Sequence, residues 1–83
     1  MQNALIACRS ITYAQRAARV LNNAGIRASI RRLPVDLTDT GCAQAVRVEE
    51  NQLHRAVTMM RNAGFTIRYT FCEQENGKVT PCR

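Results

Sequence analysis

No tryptophan occurs among the 83 residues, and only four aromatic side chains do: Tyr13, Phe65, Tyr69 and Phe71. Few flat surfaces are therefore on offer for stacking bases, which weakens a single-stranded nucleic-acid reading. No run approaches the roughly 18 apolar residues that a membrane helix needs, so no such span is expected. Neither a Gly-x-x-x-x-Gly-Lys phosphate loop nor a Gly-x-Gly-x-x-Gly fingerprint is present. The one histidine, His54, has no serine or carboxylate at a spacing that completes a triad; it reads as a surface residue, and hydrolytic catalysis lacks support. No Cys-x-x-Cys pair occurs, and Cys8, Cys42, Cys72 and Cys82 are too far apart in the chain to chelate locally, which argues against a zinc site or metal transport. No resident cofactor is called for.

Lysine is also scarce. Twelve basic residues face six acidic ones for a net charge of +6, and all the basic residues except Lys78 are arginine, a permanently charged planar fork suited to anions. Acidic partners fit that balance. The length holds one domain, and the opening residues, Met1 to Arg9, show neither a basic leader nor an extended apolar segment. A cytoplasmic protein with reduced thiols is the expectation.

A repeat organises what remains. Asn23-Ala24-Gly25-Ile26 recurs as Asn62-Ala63-Gly64-Phe65, each closing a helical pattern and opening a strand-like one. Glycine can take the left-handed conformation that ends a helix, so Ile26 and Phe65 start back across the core. In the first half, Ala4-Leu5-Ile6-Ala7 reads as a central strand, Ser10 or Thr12 as a helix cap, and Tyr13, Ala14, Ala17, Val20, Leu21 and Ala24 as an amphipathic stripe. Ala28 and Ile30 then alternate with Ser29 and Arg31. In the second half, Val46 and Val48 alternate with Ala45 and Arg47, and Glu49 and Glu50 precede a helix striped by Leu53, Ala56, Val57, Met60 and Ala63. Ile67, Tyr69 and Phe71 alternate with Thr66, Arg68 and Thr70 in the last strand.

Strand, helix, strand, strand, helix, strand predicts an α+β, ferredoxin-like βαββαβ domain over residues 1–72: four antiparallel strands with two helices on one face. Residues 73–83 are polar and read as a loose tail. The uncovered sheet face is expected to display Ser29, Arg31, Ala45, Arg47, Arg68 and Thr70, basic but without stacking residues. An anion- or nucleic-acid-binding module using Arg31, Arg47 and Arg68 is the competing functional class.

In this topology the end of the first strand lies beside the start of the third, so Cys8 and Cys42 share one end of the sheet. The long connection from Leu33 to Gly41 delivers Cys42 there, and Gly41 leaves room for an approaching ligand. Ser10, at the start of the first helix, belongs at the same end, with Arg9, Arg31 and Arg32. Positive charge and helix amides would favour a thiolate at Cys42; a small buried residue at a strand start is the other reading. Cys8 reads first as the end of the core strand and second as a resolving thiol. Cys72 and Cys82 are expected away from this end, as a tail disulfide or as exposed thiols.

The stretch from Arg9 to Phe71, in particular Ala17-Ala18-Arg19-Val20-Leu21-Asn22-Asn23-Ala24-Gly25-Ile26, Leu33-Pro34, Gly41-Cys42-Ala43 and Ala45-Val46-Arg47-Val48, resembles the bacterial selenium/sulfur carrier-like family. The resemblance implies a small ferredoxin-like protein whose carrier thiol corresponds to Cys42. A persulfide or selenenylsulfide would form there, with sulfur or selenium donor and acceptor proteins as partners. Gly41 precedes Cys42 and Ala43 follows it, whereas the family pattern has glycine after the cysteine. Cys8 would resolve the intermediate as a disulfide if the two α-carbons lie within about 7 Å. A homodimer through the open sheet face or an edge strand stays open.

Overall fold

The computed structural model describes residues 2–33 and 44–81. Strand β1 (Asn3–Cys8) leads to helix α1 (Ile11–Asn23), strand β2 (Ser29–Arg32) and strand β3 (Gln44–Glu49). A 3-10 turn (Glu50–Gln52) enters helix α2 (Leu53–Asn62), followed by β4 (Thr70–Glu73) and β5 (Val79–Pro81). The five strands form one antiparallel sheet in the order β2-β3-β1-β4-β5.

Both helices end as the repeat predicts. Gly25 and Gly64 have φ of 86° and 91°. The Gly25 amide donates to the Asn22 carbonyl and the Ile26 amide to that of Leu21; Gly64 and Phe65 do the same to Arg61 and Met60. This double bond pattern releases the last helical turn, and the residue after glycine lands on an apolar residue of that turn. Leu21, Ile26, Met60 and Phe65 accordingly lie in one buried cluster with Ala4, Ile6, Val46 and Val48, between helices and sheet. Alanines on the inward side of α1, Ala14, Ala17 and Ala18, let the helix lie close to the strands. Ser10 is the α1 cap, its hydroxyl accepting from the Tyr13 amide at 3.1 Å.

Three expectations are corrected. The sheet has five strands, not four. The segment read as a loose tail turns at Glu75-Asn76-Gly77 and pairs back on β4, with Cys72 opposite Thr80. The turn closes because Gly77 adopts φ 86° and the Gln74 amide donates to the Lys78 carbonyl at 2.8 Å. The last strand also shows its other side. Thr70 pairs with Ile6 on the helix-facing side, whereas Phe71 pairs with Leu5 and buries on the opposite face with Ala45 and Leu33. Tyr69 packs on that same cluster, its ring stacked 6.3 Å from that of Phe71. The face expected to be solvated and free of aromatics thus carries a second apolar cluster, because the pairing register of β4 assigns alternate side chains to the side opposite the expected one.

Candidate functional site

The register brings three strand ends level. Cys8 at the end of β1 pairs with Gln44 at the start of β3, and Gln44 also pairs with Arg32 at the end of β2. The first turn of α1 leaves from the same end, because only Arg9 and Ser10 separate it from Cys8. The α2–β4 connection arrives there as well: Tyr13 of that first turn accepts a hydrogen bond from the Thr66 amide at 2.8 Å and meets the Phe65 ring edge-on at 4.7 Å. Cys42 and Gly41 lie outside the described residues, two and three positions before Gln44 in the chain.

Of the described members of the expected site, Cys8, Arg9, Ser10 and Arg32 lie at this end, and Arg31 turns away from it. Cys8 is 3% exposed, within the helix-facing core, and its thiol donates weakly to the Ile6 carbonyl at 3.6 Å. That is the core-filling arrangement rather than an accessible relay thiol. Ser10 is occupied as the helix cap. Arg9 is exposed, its guanidinium 4.8 Å from the centre of the Tyr13 ring. Neighbouring strand residues point to opposite faces, so Arg31 and Arg32 part. Arg32 stays at the Cys8–Gln44 row, while Arg31 turns onto the open face, where its Nε lies 2.6 Å from Glu73.

Glu73 was hidden in the segment read as tail, and it is the main polar feature that residue-by-residue reading missed. It is 7% exposed, and its carboxylate meets Arg31, Arg47 and the Asn3 amide. Arg47 approaches with Nε at 3.0 Å from Oε1 and donates from Nη2 to Oε2 at 3.0 Å. The Nε contact lacks hydrogen-bond alignment, so it counts as Coulombic attraction while Nη2 makes the bond. The alternation Thr70-Phe71-Cys72-Glu73, followed by Asn-Gly and then Val79-Thr80, is a hairpin signal that would have found both Glu73 and β5. Two of the three arginines assigned to an anion-binding sheet face, Arg31 and Arg47, are thereby matched internally; the third, Arg68, sits over the Tyr69 ring at 5.6 Å.

Cys72 pairs with Ala4, well away from the Cys8 row, and is disulfide-bonded. A uniform set of reduced thiols is therefore not what the structure has; the β4–β5 hairpin returns the C-terminal segment alongside this cysteine. His54 is exposed on α2, as expected. Among the described residues, no group of three or more histidine, cysteine or carboxylate side chains could hold a metal ion, and no helix is long and apolar enough to cross a membrane.

The described residues form a small α+β unit of two helices on one face of an antiparallel sheet. Residues 3–72 match the family model described as "Putative Se/S carrier protein-like", and the chain belongs to that family. Comparison with curated proteins and with solved structures finds no match.

Proposed function

We propose that this protein is a sulfur or selenium carrier acting through Cys42, on a ferredoxin-like framework widened by β5. The observation that carries the reading is the row Cys8–Gln44–Arg32, which lies beside the start of α1 with the exposed cations Arg9 and Arg32 and which Cys42 precedes by two residues in the chain. The Cys42 thiolate attacks the outer sulfur of a donor persulfide, forming a new S–S bond as the donor thiolate leaves. An acceptor thiolate then takes the same sulfur and Cys42 departs as thiolate. Each transfer exchanges one S–S bond for another, so no external oxidant or reductant is consumed; with selenium, the bond to Cys42 is a selenenylsulfide. Both steps need thiolate character near neutral pH, which nearby positive charge supports.

Cys8 is buried and Cys72 is in a disulfide, so neither offers a free surface thiol for the carrier role. The test is loading with glutathione persulfide, read by intact mass and peptide mapping. The expected result is a gain of one sulfur atom on Cys42, lost in Cys42→Ser. Alkylation across pH provides the second arm: Cys42 reacts below the ordinary thiol range and faster than the thiol of free glutathione. Loading at another cysteine, or a Cys42 no faster than free glutathione, overturns the reading.

A further inference from the structure

The acids of the described residues are confined to one end of the strand direction, where Arg27 and Lys78 accompany them. Glu49 pairs with Asn3 at the far end of β1 from Cys8, Glu50 follows it, and Glu73 also pairs with Asn3. At the Cys8 end the described residues carry only cations. Arg9 follows β1, Arg32 ends β2, Arg61 lies in the last turn of α2, and Arg68 precedes Tyr69, whose carbonyl accepts from the Ala7 amide at 3.0 Å. All four are exposed, and none makes an ion pair among the described residues, in contrast to Arg31 and Arg47. The remaining acids of the sequence include Asp36 and Asp39, outside the described residues, which the four arginines outnumber.

We infer that these four arginines form a docking rim for an acidic surface of a partner protein, which the rim turns toward the thiol-bearing end. The inference rests on the carrier reading for its purpose, not for its binding. The geometry favours a broad partner over a small anion, because the cations ring the end instead of meeting at one point. Arg9 is held over Tyr13 in the helix layer and Arg68 over Tyr69 on the opposite face of the sheet. A small anion needs convergent donors; an acidic protein surface needs spaced ones. The far end mixes Glu49, Glu50 and Glu75 with the exposed cations Arg27 and Lys78, so the excess of positive charge lies at the Cys8 end and draws a negative partner there, which raises the rate of productive encounter. A second copy of this chain carries the same net charge of +6 and offers no comparably acidic surface among its described residues.

The probe is a fluorescent peptide of alternating Glu and Ser without cysteine, with a Gln-for-Glu peptide as its neutral control, followed by anisotropy against the full chain. The acidic peptide is expected to bind at least tenfold more tightly at low salt, with the difference shrinking as salt rises. The combined Arg9→Gln, Arg32→Gln, Arg61→Gln and Arg68→Gln variant should lose roughly tenfold in affinity, with its fold checked by circular dichroism. Arg16→Gln, Arg19→Gln and Arg55→Gln together should lose less than threefold. Equal losses in the two variants would reduce the effect to net charge and overturn the rim. So would equal binding of both peptides, or a single-stranded RNA bound more tightly than the acidic peptide. Cys42→Ser should bind the acidic peptide like the wild type, so failure of sulfur loading and failure of docking are read separately.

Discussion

Glu73 on β4 reaches across the central strand β1 to Arg47 on β3, its Oε2 accepting from Arg47 Nη2 at 3.0 Å. The two are linked only through tertiary structure, 26 residues apart in the chain. Arg31 adds a third charge from the edge strand, so one carboxylate ties together three strands on the face that the helices leave open.

Removing that carboxylate leaves two guanidinium groups facing each other. Glu73→Gln should destabilise the fold by about 2 kcal/mol, a figure held below that of a fully buried pair because both arginines keep solvent contact. Urea unfolding measures it. An unchanged midpoint would mean that the cluster is solvated and contributes nothing.

Gly25 and Gly64 end their helices with positive φ, and a Cβ at either position meets no atom within 4 Å. The cost of substitution is therefore backbone strain alone. Gly25→Ala and Gly64→Ala should each lose about 1 kcal/mol, and the double variant about the sum. A loss much larger than this in thermal or urea unfolding would point to a clash that the structure does not contain.

Tyr13 acts through its hydroxyl as well as its ring. Tyr13→Phe keeps the edge contact with Phe65 but leaves the Thr66 amide without its acceptor, at a cost of about 1 kcal/mol. Faster amide exchange at Thr66, read by NMR, would accompany the loss; unaltered protection there would show that water replaces the hydroxyl.

Cys8 is core. Cys8→Ala should lower stability by about 1 kcal/mol through the small cavity it opens. Sulfur loaded from glutathione persulfide should still be found on Cys42. A Cys8–Cys42 disulfide trapped during turnover of the wild type would contradict this placement.

Cys72 on β4 is held in a disulfide. Reductant should lower the unfolding midpoint, by roughly 2 kcal/mol in stability, and Cys72→Ser should match the reduced protein with no further response to reductant. A wild type indifferent to reductant would show that the bridge adds no constraint.

The local patterns were legible in the chain alone. Gly25 and Gly64 stop two amphipathic helices where the repeat says they should, Ser10 caps the first, and Val46 and Val48 face the helices while Ala45 and Arg47 face away. These features depend on neighbours within one turn or on a period of two, and such information is written contiguously. The family, too, followed from the order of these short stretches, with Cys42 among them.

What only the tertiary structure decided is which partners distant residues find. Phe71 and Glu73 take the open face because β4 pairs with β1 in one register, and a shift of one residue would have sent both to the helices. That register supplies Arg31 and Arg47 with a buried counter-charge, and so removes them from any anion site. Alternation along β2 separates Arg31 from Arg32, although they are adjacent in the chain. The fifth strand belongs to the same class of fact: its turn residues were visible, but its existence depended on β4 offering an unpaired edge. Side-chain spacing is a local property, whereas pairing across the sheet joins residues tens of positions apart, and only the folded chain brings them together.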